Sequence, residues 1–154
     1  MDMSIKETLQ ADLTEAIRSR NEIVSGTIRM VLTAITNEEV SGKSARVLND
    51  AEIITVLSRE AKKRREAADA FRDAGHADRS ERETSEGRVI TEYLPEQLSE
   101  DDVKKIIADA ITETGASGPS GMGLVMKAIQ PKVAGKADGG TVSGLVKAAL
   151  TGGN

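Results

Sequence analysis

Every apolar segment of this chain recurs at the three-to-four-residue interval of an α-helix, and none alternates as a half-buried strand does. Ile5, Leu9, Leu13 and Ile17 open the series. Ser4 and Glu7 form an S-x-x-E capping box at the start of the series, which predicts a first helix over 5–20. Val24, Ile28, Val31, Leu32 and Ile35 share one face of a second helix over 22–41, with Gly42 placed to stop it. Asn49 and Glu52 suggest another capping box, ahead of a third helix carrying Ile54, Leu57, Ala61, Ala68 and Phe71 and ending near Ala74–Gly75. The expected fold class is all-α.

The next stretch, RDAGHADRSERETSEGR at 72–88, holds no large apolar side chain. It cannot bury itself, so it is expected to be the solvated tip of a long polar helical hairpin in which helix three turns back as helix four. Apolar residues return only at Val89, Ile90, Tyr93 and Leu94, and Gly87 weakens the continuity expected of the returning helix. Pro95 disfavours helical geometry at Leu94, which predicts a domain boundary: a helical N-terminal domain over 1–94 and a tail domain over 95–154.

The tail repeats one pattern three times. Val103, Ile106, Ile107, Ala110 and Ile111 are followed by Met122, Val125, Met126 and Ile129, and then by Val142, Leu145, Val146, Ala149 and Leu150. Each set marks a short amphipathic helix. Ser99 with Asp102 caps the first and Asp138 the last, while Pro131 should kink or end the middle one. GASGPSG at 115–121 and KVAGKADGG at 132–140 are the connections. The second reads as an exposed turn with nothing large enough to build a core, with Lys132 and Lys136 directed to solvent and its glycines serving backbone geometry or close approach.

Composition narrows the function classes. Phe71 and Tyr93 are the only aromatics, so the core must be aliphatic, the material of helix–helix packing. With no cysteine and a single histidine, disulfides, thiol catalysis and multi-histidine metal sites are excluded. His76 lies in the most polar part of the chain, as a surface residue rather than a general base. No phosphate-loop or dinucleotide fingerprint occurs. No catalytic residue, metal site or cofactor is therefore expected. No apolar run approaches the roughly 20 residues that span a bilayer, and the polar N-terminus does not resemble a signal peptide, so a cytoplasmic address without membrane association is expected. The net charge of −4 argues against a generally basic nucleic-acid binder, and no DNA partner is expected.

Two basic features remain. Arg59, Lys62, Lys63, Arg64 and Arg65 fan around helix three, where Glu66 and Asp69 are spaced to pair with them, giving a solvated face. The tail beyond residue 116 holds Lys127, Lys132, Lys136 and Lys147 against the single acid Asp138. Lysines beside accessible glycine backbone suit phosphate. The tail has no aromatic for stacking an unpaired base, so a nucleic-acid backbone or structured RNA fits better than single-strand readout.

LSREAKKRREAADAF in helix three, EYLPEQLSEDDV at the boundary and GMGLVMKAIQPKVAGKADGGTVSGLVKAAL in the tail resemble the YqeY family, over about Ser4 to Leu150. The family is grouped with the B subunit of the tRNA-dependent amidotransferase (GatB). The combination of M-G-x-V-M at 122–126 with G-K-A-D-G at 135–139 is specific. The resemblance implies a helical N-terminal domain followed by a three-helix tail like that of the B subunit, where the tail recognises the body of tRNA. It implies RNA contact at Lys127, Lys132, Gly135, Lys136, Gly139 and Lys147. A carbon–nitrogen ligase label with glutamine as amido donor belongs to the same association, but these residues offer no autonomous active site for it. The expected function is thus an accessory protein binding tRNA or structured RNA through its tail. The alternative is a helical interaction module, with the polar hairpin at about 60–88 docking on amidotransferase subunits or another protein.

Overall fold

The computed structural model describes residues 3–152, and among them there are seven α-helices and no strand, as the periodicity requires. The helices are α1 (Ile5–Arg18), α2 (Glu22–Glu39), α3 (Asp50–Asp73), α4 (Ala77–Thr91), α5 (Glu100–Thr114), α6 (Met122–Val133) and α7 (Gly139–Leu150). A 3₁₀ turn at Pro119–Gly121 leads into α6. The chain divides into two compact units, Met1–Leu94 and Pro95–Asn154.

Side-chain caps set the helix starts. Ser4 Oγ accepts the Glu7 N–H, and Asn21 Oδ1 accepts the Val24 N–H. Asn49 with Glu52 forms a full capping box at α3, and Ser99 with Asp102 forms another at α5. Each satisfies backbone donors that a helix start leaves orphaned. The second helix ends at Glu39, three residues before Gly42, because the chain turns there to bury Leu48.

The N-terminal unit packs α1–α4 around Leu9, Ile28, Val31, Ile35, Leu48, Ile53, Val56, Leu57, Ala61 and Ile90. Ile53 lies at the centre of the α3 face, whereas Ile54 is only half-buried. A buried carboxylate ties down the α2–α3 connection. Glu39, 9% exposed, accepts the Leu48 N–H at 3.1 Å and holds the Lys6 ammonium at 3.1 Å. The Leu48 N–H and then the Lys6 hydrogen bond keep its pKa below the ordinary value of 4.5. At the end of the unit, the Tyr93 hydroxyl donates to Asp12 Oδ2, and burial followed by that neighbouring carboxylate pushes the phenol pKa up.

The polar stretch is solvated from Arg72 to Arg79, as expected of a hairpin tip, and from Ser80 onward α4 packs along α3 with charge and small residues in place of apolar bulk. Arg64 reaches Glu83 at 2.9 Å and Glu86 at 3.7 Å, and all three side chains are largely covered. Ser80 Oγ donates to the Ala68 carbonyl at 2.7 Å. Gly87 does not interrupt the helix, and a Cβ there would make an ordinary contact of 3.5 Å with the Cβ of Arg64.

The C-terminal unit packs α5, α6 and α7 around Val103, Ile107, Ala110, Val125, Ile129, Val133, Val142 and Val146. These are the three periodic stripes read from the tail, with one addition. Val133 belongs to the stretch expected to contribute nothing to a core, yet it is 5% exposed.

Glu39 generates a pH prediction. Ionised Glu39 stabilises the fold above about pH 4.5, and that stabilisation is lost as pH falls through the lowered folded-state value. Glu39→Gln should therefore be less stable than the parent at neutral pH in urea unfolding, and the gap should narrow below pH 4.5. A gap that is unchanged down to pH 3 would count against this role. For the hairpin, a double-mutant cycle of Arg64→Ala and Glu83→Ala should show a favourable coupling of about 1–2 kcal/mol, because each partner leaves the other's charge partly covered. Additive losses would mean that the pair contributes no interaction energy.

Candidate nucleic-acid interface

The tail lysines are distributed over α6, α7 and the loop between them. Along α6, Val125, Ile129 and Val133 face the core, so Lys127, two residues from both Val125 and Ile129, lies roughly 200° around the helix from each and points away. Lys132 sits in the last turn and is exposed. Pro131 lies inside that turn, and the helix continues through it to Val133. Lys147 is exposed on α7, one residue past the buried Val146.

The 134–138 loop is built by hydrogen bonds at both ends. Val133 O accepts the N–H groups of Lys136 at 2.9 Å and Ala137 at 3.1 Å, which folds the chain back under the helix end. That reversal places Gly135 at φ +72°, a left-handed conformation that costs a side chain strain. Asp138 then starts α7, accepting both the N–H and the hydroxyl of Thr141 at 3.0 Å. Gly139 is the first residue of α7, and a Cβ added there would meet nothing within 4 Å. The expected geometric need for glycine is met at Gly135 and not at Gly139.

This loop is not a free turn. Gln97 Nε2 donates to the Pro95 carbonyl at 2.7 Å and to the Gly135 carbonyl at 2.9 Å. The Leu98 N–H donates to the Lys136 carbonyl at 2.8 Å. Lys136 is consequently half-buried rather than fully directed to solvent, and it lines an open depression with Glu96, Gln97, Leu98, Asp102, Lys105 and Ile106. Lys105 was absent from the residues expected at the interface. It lies 31 positions from Lys136, and the packing of α5 on α6 and α7, with the Gln97 and Leu98 hydrogen bonds, brings the two segments together.

Among the described residues, no ion pair engages Lys127, Lys132, Lys136 or Lys147. The basic run on α3 is the opposite case: Arg59 pairs with Glu38, Lys62 with Glu66, Lys63 with Glu60, and Arg64 with Glu83. Its charges are answered within the protein. His76 is exposed at the start of α4, edge-on to Phe71 with ring centroids 6.3 Å apart, and its side chain makes no capping bond. Among the described residues no cluster of three or more acids or histidines could hold a metal ion, and no helix is long and apolar enough to cross a membrane.

An uncharacterized protein of Schizosaccharomyces pombe is 30% identical over 97 residues, covering 62% of this chain and 76% of the yeast protein. Proteins named altered inheritance of mitochondria protein 41, mitochondrial, are each 27% identical to this chain. The Clavispora lusitaniae protein aligns over 85% of this chain and 77% of its own length, and the Pyrenophora tritici-repentis protein over 84% and 71%. Those names place the two relatives in mitochondria, a compartment other than the cytoplasmic one expected here from composition. The model of the Yqey-like proteins matches residues 6–150, nearly the whole chain, and this protein therefore belongs to the Yqey-like family.

Proposed function

We propose that this protein is a non-catalytic accessory factor that binds tRNA or another structured RNA through its C-terminal unit. The observation that carries the reading is the contrast in charge pairing. The lysines of α6, α7 and their loop have no carboxylate partner among the described residues, whereas the denser basic run on α3 is neutralised in place. Unpaired lysines around exposed backbone can neutralise phosphates and release their counterions. The resemblance of the tail to that of the amidotransferase B subunit supports tRNA as the class of RNA. The α3–α4 hairpin, with most of the basic run on α3 paired within the protein, offers less to a docking protein.

The test is a tRNA titration over a salt series. Affinity should fall steeply with salt, and Lys132→Ala with Lys136→Ala should reduce the log–log slope by about two units if each lysine contacts one phosphate. The melting temperature of that double variant should stay close to the parent's. Gly135→Ala should instead lower stability by about 1 kcal/mol through its left-handed backbone, and Gly139→Ala should be silent or slightly stabilising. Salt-insensitive or absent tRNA binding would refute the proposal.

A further inference from the structure

We propose that the depression beside the α6–α7 loop seats one backbone phosphate of the bound RNA between Lys105 and Lys136. The assignment rests on the RNA-binding reading and adds a site on α5 that the tail motif does not contain. The depression is open and has a volume of about 410 Å³, more than a phosphate group occupies. Both lysines line it, and neither is in an ion pair among the described residues. The adjacent Lys104 differs: it is paired with Glu100 at 3.4 Å.

The backbone at Lys136 is held before any ligand arrives. Its carbonyl takes the Leu98 N–H, and the preceding carbonyl of Gly135 takes the Gln97 carboxamide. A lysine on a fixed backbone loses less freedom on binding than one on a loose loop. Two acids also line the depression, and they set the sign of the test. Asp102 is engaged in starting α5: its carboxylate accepts the Ser99 N–H at 3.2 Å, next to the positive end of the helix dipole. Glu96 is exposed, where water and salt screen it. A phosphate would be opposed by Glu96, whereas a cationic partner would depend on it.

Three variants of the full chain, titrated with tRNA across a salt series, decide the matter. Lys105→Ala should weaken binding about threefold to tenfold at low salt and reduce the log–log slope by about one unit. Lys104→Ala should leave affinity and slope unchanged. Glu96→Gln should tighten binding about twofold by removing a like charge. All three positions are exposed, and the melting temperatures should match the parent's. If Lys105→Ala is as silent as Lys104→Ala while Lys132→Ala with Lys136→Ala still flattens the slope, the phosphate seat is wrong and the RNA-binding reading stands. Weaker binding by Glu96→Gln would also overturn the seat, since the depression would then answer to positive charge. Absence of salt-dependent tRNA binding by the parent protein would remove both.

Discussion

Close approach between helices is the constraint on which both units rest. Among the described residues the buried apolar ones are Leu, Ile, Val and Ala, and Phe71 and Tyr93, the chain's only aromatics, are each half-buried. Side chains of this size fill the space between helices only when the axes run near each other. The α3–α4 pair shows what close running demands. Ala61, Ala68, Ser80 and Gly87 are small, and the Ser80 hydroxyl reaches the Ala68 backbone directly. Where apolar residues run out along that pair, Arg64 and its two glutamates take over the contact.

The same dependence on near neighbours explains how much could be read from the residues in order. Helix positions and starts were legible because their causes are local: a cap and its N–H lie within three residues, and a core stripe repeats every turn. All-α architecture followed from those alone. What escaped were features whose cause lies far along the chain. Gly87 reads as a weak point, yet α4 runs through it, fastened to Arg64 on the neighbouring helix by Glu83 and Glu86. The packing of residues 80–88 leaves no trace in the sequence, because ion pairs between helices have no apolar signature. Val133 is hidden for a subtler reason: it continues the stripe of Val125 and Ile129 by one more turn, past the proline expected to kink or end the helix.

The candidate site divides along the same line. Lys127, Lys132, Lys136 and Lys147 stand out by composition, and Gly135 by its place in the G-K-A-D-G motif. Lys105 carried no signal, for its relation to Lys136 is created by the packing of α5 on α6 and α7 together with a carboxamide and one backbone N–H. The EYLPEQLS segment has two tasks: Tyr93 anchors to Asp12 in the N-terminal unit, and four residues later Gln97 fastens the glycine loop of the C-terminal unit. A motif at a boundary and a motif in the tail thus meet as donor and acceptor in one hydrogen-bonded corner.

The charge-held hairpin has a thermal consequence. Packing of Leu, Ile and Val weakens on cooling, because exposing apolar surface carries a large positive heat capacity. The distal part of α3 and α4 hides little such surface, so its opening should change the heat capacity far less than the opening of either core. Warming also lowers the desolvation cost of its ion pairs. One chain thereby carries two thermal dependences, with aliphatic cores that lose strength in the cold and a polar arm whose cohesion follows the hydration of charge.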